Sequence, residues 1–86
     1  MKLLFHDEGW DDYLYWQETD KKIVKKINEL IKACRRSPFD GIGKPEPLKG
    51  DLTECWSRRI TDEHRLVYAV ENSTIIVLKC RHHYKK

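Results

Sequence analysis

Apolar residues in the middle of the chain recur every three or four positions, which is the period of an amphipathic helix. The stripe consists of Ile23, Val24, Ile27, Leu30, Ile31 and Cys34. Asp20 precedes it and is a typical N-cap residue, whereas Pro38 cannot continue a helix. We therefore predict a long helix between Asp20 and Pro38 with one buried face.

A strand and a shorter helix are predicted before this segment. Lys2 to His6 has the composition of a short strand, and Asp7 with Glu8 supplies a cap and a first-turn acid for a helix that ends near Thr19. Two helices joined by almost no loop predict an antiparallel hairpin packed on a flat surface.

The first helix is rich in aromatic residues. Trp10, Tyr13 and Leu14 recur at the spacing of one helical face, so we predict that they pack in the core. Tyr15 and Trp16 then remain for a groove or a dimer contact.

The second half of the chain has the composition of a sheet. Ser37 to Asp51 is rich in proline and glycine and predicts a loop. The three segments that follow predict an antiparallel meander: Cys55 to Ile60, Leu66 to Val70 and Ile75 to Cys80. The order strand, helix, helix, strands predicts an α+β fold in which the helices cover one face of an antiparallel sheet and leave the other face for a ligand.

Composition sets the class of protein. The 86 residues are 40% hydrophobic and 36% charged, which fits one folded domain spanning residues 1–86. No apolar run approaches the roughly 20 residues that cross a bilayer, and no signal peptide is recognised, so we expect a cytoplasmic protein without a membrane contact. Three cysteines do not form a disulfide framework. The acid-free tail from Lys79 to Lys86 carries four fixed positive charges and is suited to an anionic partner.

Glu46 lies between two prolines, Pro45 and Pro47. Both prolines restrict the backbone, so the carboxylate is presented in one direction at little entropic cost, as a positioned base requires. The alternative is a stiff connector in which Glu46 only faces water.

Three arginines follow in the predicted sheet. Strand alternation puts Arg58 and Arg59 on opposite faces, so at most one of them points toward the helices. Arg65 opens the next strand, where its guanidinium can bind a phosphate through two hydrogen bonds. The alternative is an ordinary surface cation.

The tail contains His82, His83 and Tyr84, which offer imidazoles for acid chemistry and a ring that can stack on a base. The alternative is a frayed basic terminus. Cys80 with these histidines lacks the spacing of a zinc site, so we predict no metal and no cofactor. His6 and His64 are expected to be capping or surface residues.

The sequence has four distinctive blocks: Asp11 to Asp20, Lys44 to Lys49, Trp56 to Ile60 and His64 to Ala69. Together they resemble the YoeB toxins of the RelE/ParE superfamily, and the resemblance runs from Met1 to Tyr84. It implies a RelE-like microbial RNase fold and the toxin of a type II toxin-antitoxin system. The implied activity is ribosome-dependent cleavage of mRNA in the ribosomal A site, with a YefM-type antitoxin as the inhibitor and a homodimer as a further expectation.

The same resemblance implies roles for individual residues. Glu46 matches the general base, Arg65 the phosphate-binding arginine, His83 the general acid and Tyr84 a supporting aromatic. Lys49 and Arg59 match basic positions that help to hold the RNA backbone. This chain departs from the pattern at His82, where a more variable and often aromatic residue is expected, and in the extension Lys85 and Lys86.

These roles form a coherent reaction. Metal-free cleavage uses the 2′-hydroxyl of the substrate and yields a 2′,3′-cyclic phosphate and a 5′-hydroxyl. Nearby cations stabilise the charged carboxylate, so Glu46 either takes the proton or only orients the hydroxyl. A non-catalytic toxin of the ParE type, which acts on gyrase, is the alternative function.

Strand register presents a difficulty for this reaction. A short connection predicts that Val70 pairs with Ile75 and that Arg65 pairs with Cys80, which leaves His83 on the other side of the sheet. Either the tail leaves the strand after Cys80, or a bulge shifts the register by one residue.

Overall fold

The structure is a computed structural model that describes residues 1–49 and 54–83. Within these ranges the strands form one five-stranded mixed sheet in the order β1-β5-β4-β3-β2, with β1 parallel to β5 and the other pairs antiparallel. The elements are β1 (Lys2–Phe5), α1 (Asp7–Thr19), α2 (Lys21–Arg36), β2 (Glu46–Pro47), β3 (Cys55–Arg59), β4 (Arg65–Glu71) and β5 (Thr74–Lys79).

The predicted α+β fold and the meander of β3, β4 and β5 are confirmed. The prediction of a purely antiparallel sheet is wrong, because β1 adds to the sheet in parallel beside β5. The two helices between β1 and the meander allow this arrangement, since a parallel pair needs a long connection that crosses the sheet. None of the helices in the described ranges is long and apolar enough to span a membrane.

The second helix, α2, agrees with its prediction. The Oδ1 atom of Asp20 accepts the N–H groups of Lys22 at 3.0 Å and Ile23 at 3.4 Å, so Asp20 is the N-cap. The helix ends at Arg36, two residues before Pro38. Its buried residues belong to the predicted stripe and are Ile27, Leu30, Ile31 and Cys34.

The first helix, α1, departs from its prediction at the cap. His6 is the N-cap residue and makes no side-chain capping hydrogen bond, while Asp7 is the first residue of the helix. Asp7 and Glu8 therefore both act as acids of the first turn, where they face the positive end of the helix dipole.

The inner face of α1 was predicted wrongly in part, since Tyr13 does pack against the core, but Trp16, expected at a groove or a dimer contact, is buried in it. Trp16 is 5% exposed, whereas Trp10 is 45% and Leu14 39% exposed. The reason is Gly9, because a Cβ atom added there would lie 2.5 Å from the carbonyl oxygen of Val77. The helix backbone thus rests directly on β5 at Gly9, and the residue two turns later, Trp16, faces the core.

The core lies between the helices and one face of the sheet. Its strand residues alternate along β4 (Leu66 and Tyr68) and along β5 (Ile75 and Val77), so they share the face toward the helices. Val67, on the other face, is buried as well. The buried core residues are Trp16, Ile27, Leu30, Ile31, Cys34, Ile60, Leu66, Tyr68, Ile75, Val77 and Cys80.

Candidate active site

The sheet face opposite the helices carries three of the predicted site residues. Glu46 is directly opposite Ser57, and Arg59 is directly opposite Arg65. Opposed residues share a face, and residues two apart in a strand share it as well, so all of these side chains point the same way. Strand spacings put the Cα atoms of Glu46 and Arg65 about 12 Å apart, which long side chains can bridge across one phosphate group.

Glu46 lies on an edge strand instead of the predicted loop. Glu46 is the first residue of β2. Just beyond the strand, the N–H of Leu48 donates to the carbonyl oxygen of Cys55 at 2.9 Å. Pro47 is tolerated here because an edge strand does not need every N–H group. The Glu46 side chain is exposed, so its carboxylate faces solvent on the open side of the sheet.

Arg58 points to the opposite face, which confirms that only one of the two adjacent arginines faces the helices. It is completely buried, and its hydrogen bonds fix the loop that leads into β2. Nη2 donates to the carbonyls of Ser37 (2.6 Å) and Asp40 (2.9 Å), Nη1 to that of Ile42 (2.9 Å), and Nε to the Tyr68 hydroxyl (3.1 Å).

Arg65 is not an ordinary surface cation, since only 6% of it is exposed. Its Nη1 atom donates to the carbonyl oxygens of Thr61 at 2.7 Å, Asp62 at 3.2 Å and His64 at 3.1 Å. The turn between β3 and β4 therefore fixes the guanidinium. Arg59, opposite it, is exposed and remains open to solvent.

A bulge in β5 changes the register that the connection alone predicts. Tyr68 pairs with Val77, but the next residue of β4, Val67, pairs with Lys79, so Leu78 is the extra residue. The predicted pairing of Val70 with Ile75 is confirmed at the other end of the strands. Past the bulge, the register has shifted by one residue.

The chain also leaves the strand early. β5 ends at Lys79, and the N–H of Arg65 donates to the carbonyl oxygen of His82 at 3.0 Å. The predicted pairing of Arg65 with Cys80 is therefore wrong, and both suggested remedies, a bulge and a departing tail, are present. His83 is exposed and follows directly after the residue bonded to Arg65.

Two residues that hold this tail were missed by sequence reasoning. The Oδ2 atom of Asp12 accepts the N–H of Cys80 at 3.0 Å, and Nε1 of Trp16 donates to the Cys80 carbonyl at 2.8 Å. Burial raises the pKa of Asp12, although the Cys80 N–H acts in the opposite direction. The spacing of Gly9, Asp12 and Trp16 along one face of α1 is the signal that would have indicated them.

The remaining predictions concern thiols, metals and the ends of the described ranges. Lys49 is exposed just after β2, whereas Tyr84, Lys85 and Lys86 lie outside the described residues. In the part of the chain that the structure describes, no three His, Cys, Asp or Glu residues could hold a metal ion. Burial raises the pKa of the Cys80 thiol to about 12, so this cysteine is not an activated nucleophile.

Comparisons with known proteins agree with this fold. Residues 5–84 match the family model of the YoeB-like toxin of bacterial type II toxin-antitoxin systems. The chain therefore belongs to the YoeB-like family, and it is a toxin of a type II toxin-antitoxin system.

Individual relatives are similar over nearly the whole chain. The toxin YoeB of Escherichia coli K12 is 68% identical over 84 residues, which are 98% of this chain and 100% of that protein. A YoeB/ParE toxin from Agrobacterium tumefaciens has a TM-score of 0.95 at 56% identity, covering 98% of this chain and 100% of that one. From Staphylococcus aureus, a YoeB-YefM complex and a YoeB dimer both have a TM-score of 0.90, at 48% and 49% identity, with 98% of each chain covered.

Proposed function

We propose that this toxin is a ribosome-dependent mRNA endonuclease that cuts mRNA in the ribosomal A site without a metal ion and so inhibits translation. The observation that supports this most is the sheet face opposite the helices, on which the exposed Glu46 and Arg59 and the buried Arg65 point the same way. The main chain of His82 is bonded to Arg65, which brings His83 to the same end of β4.

The chemistry divides among three side chains. Glu46 takes or orients the proton of the 2′-hydroxyl, whose oxygen bonds to phosphorus as the bond to the 5′-oxygen breaks. Arg65 stabilises the charge on the phosphate oxygens, and His83 gives a proton to the departing 5′-oxygen. The products are a 2′,3′-cyclic phosphate and a 5′-hydroxyl, and no water is consumed in this step.

Other residues of the chain bind the RNA in this proposal. Arg59 and Lys49 are exposed cations near Glu46, suited to neighbouring backbone phosphates. Tyr84 supports the reacting groups as an aromatic neighbour of His83. Dependence on the ribosome follows from the small size of the site, because a partner must hold the strand with its 2′-oxygen in line with the bond that breaks.

The partners follow from the relatives. The Staphylococcus aureus complex and dimer support a YefM-type antitoxin as the inhibitor of this chain and a homodimer as its free form. Cytoplasm is the compartment that provides ribosomes and mRNA. Copurification with a coexpressed antitoxin and the mass of the free toxin in solution test these two assignments.

The activity is tested by cleavage of mRNA on programmed ribosomes, with the ends of the product fragments identified by mass spectrometry. Glu46→Gln and His83→Ala should each slow cleavage by about 10² to 10⁴-fold, the usual contribution of an acid or base group. Glu29→Gln on the exposed side of α2 and His6→Ala at the N-cap of α1 change the same residue types outside the proposed site and should cut at the wild-type rate.

Three results would contradict the proposal. Unchanged cleavage by Glu46→Gln and His83→Ala would remove their roles, and fragments with a 3′-hydroxyl and a 5′-phosphate would remove the mechanism of attack by the 2′-hydroxyl. Retained toxicity of both variants without any mRNA cleavage, together with inhibition of gyrase, would favour the ParE-type alternative.

A further inference from the structure

The residues after β5 follow a path that several distant contacts fix. Cys80 is held by Asp12 and Trp16 through its N–H and its carbonyl group. The guanidinium carbon of Arg81 then lies 3.6 Å from the ring centroid of Tyr15, a cation-π contact. The tail is therefore attached to α1 before it turns back toward β4.

His82 makes that turn in a backbone conformation that non-glycine residues rarely adopt, with φ at 66°. Two hydrogen bonds hold it there. Its N–H donates to Nδ1 of His64 at 2.8 Å, and its carbonyl oxygen accepts the N–H of Arg65 at 3.0 Å. One of the two bonds thus depends on a side chain that can change its protonation state.

The imidazole of His64 is itself well fixed. Its main-chain N–H donates to the hydroxyl oxygen of Thr61 at 3.1 Å, which sets the turn between β3 and β4. Its ring packs edge-on against Trp16, with centroids 4.8 Å apart and an angle of 78°. An Nδ1 atom that accepts a hydrogen bond belongs to a neutral imidazole with its proton on Nε2.

We propose that His64 is a positioning residue for the reaction: by accepting the His82 N–H, it fixes the main chain that presents His83 beside Arg65. This inference rests on the proposed function, because the hydrogen bond between His82 and His64 serves the reaction only if His83 acts as the general acid. His64 does not touch the reacting phosphate in this role. It acts through the backbone of His82.

A pH dependence follows, because protonated His64 has no acceptor at Nδ1 and repels the cations around it. The charged or titratable groups around it are Asp62 and Glu63 on its own turn, Arg65 on β4, and Arg81, His82 and His83 on the tail. On α1, whose Trp16 packs against the ring, Asp12 lies one turn before Trp16. Burial lowers the pKa of His64 below its ordinary 6.5, with Glu63 acting in the opposite direction. His64 is therefore neutral at pH 7 and releases the tail only in acid.

The test compares His64→Asn with His64→Ala and His64→Gln in single-turnover cleavage on programmed ribosomes. The amide oxygen of Asn can occupy the place of Nδ1, whereas that of Gln extends toward Nε2 and does not reach the His82 N–H. We expect near wild-type cleavage for His64→Asn at neutral pH and a loss of about tenfold or more in kcat for the other two, with KM little changed. His6→Ala is the control histidine.

The pH profile separates positioning from simple structural damage. As pH falls from about 7 to 5, across the ordinary histidine pKa, wild-type cleavage should fall more steeply than that of His64→Asn, which has no imidazole at this position. Hydrogen exchange of the His82 amide, measured by NMR, should be slow in wild type and His64→Asn and fast in His64→Ala.

The outcomes are distinguishable. If wild type does not cleave mRNA, the proposed function fails, and this inference fails with it. Two results with an active wild type would overturn only the role of His64. One is a ratio of wild-type to His64→Asn cleavage rates that does not change with pH. The other is a His64→Ala variant that matches the wild type in cleavage rate and in hydrogen exchange of the His82 amide.

Discussion

Replacement of the buried Arg58 of β3 by methionine should destabilise the protein strongly, because its guanidinium holds the loop that leads into β2. Methionine keeps an unbranched side chain like the stem of arginine but has none of its hydrogen-bond donors. The carbonyls of Asp40 and Ile42 belong to exposed residues, where water can replace the guanidinium. The bonds to the Ser37 carbonyl and the Tyr68 hydroxyl are less accessible, and the hydroxyl keeps only its own bond to the Pro38 carbonyl at 2.6 Å. Two lost bonds at about 1 to 2 kcal/mol each give a loss of about 2 to 4 kcal/mol.

That loss is a large fraction of the roughly 5 to 15 kcal/mol that stabilise a typical domain. For a domain of this size it corresponds to a fall in Tm of about 8 to 30 °C. Urea and thermal unfolding followed by circular dichroism measure both quantities. Arg59→Met, one residue along the same strand but exposed, is the matched control and should change stability by less than about 0.5 kcal/mol.

Equal stability of Arg58→Met and Arg59→Met would refute this reasoning, because it would mean that the bonds of Arg58 to the loop contribute nothing net. Arg58→Lys provides a graded comparison. A lysine ammonium keeps the charge but cannot reach all of the carbonyls at once, so its stability should lie between the wild type and Arg58→Met.

Three further changes can be checked with the same protein. Gly9→Ala should cost about 1 to 3 kcal/mol, because its methyl group would meet the Val77 carbonyl, and a thermal melt equal to wild type would contradict that contact. Burial raises the pKa of Tyr68 from 10.0 to about 12 and that of Cys80 from 9.0 to about 12. The free energy of unfolding should therefore be full below pH 9 and fall between pH 9 and 12. A free energy of unfolding in urea that stays constant over this range would contradict the prediction. A thiol reagent should label the half-buried Cys55 before the buried Cys80, as mass spectrometry of the folded protein would show, and equal labelling rates would count against the burial.

The parts of the fold that sequence predicted well are those set by neighbouring residues. The helix α2 has its cap at Asp20, its stop before Pro38 and its apolar period all within the same short segment. The helical spacing of large residues predicted Tyr13 on the inner face of α1 correctly but Trp10 and Leu14 wrongly. A glycine, Gly9, decides that face by letting the backbone approach β5.

The site was predictable only in part, for a related reason. The resemblance indicated which residues to examine, and strand alternation correctly separated Arg58 from Arg59. Sequence could not show that Arg58 holds the preceding loop or that His64 bonds to the tail, since those partners are 16 or more residues away. The edge strand at Glu46 was missed because its prolines indicated a loop.

The position of β5 between β1 and β4 has a consequence for synthesis of the chain. The other four strands described leave the exit tunnel of the ribosome before β5 does. In a nascent chain, β1 and the face of α1 around Gly9 therefore lack β5, the strand against which they pack. Ile75 and Val77, which are fully buried in the finished core, arrive after the helices they pack against. The sheet is therefore completed late, and a growing chain lacks the segment that brings His83 to Arg65.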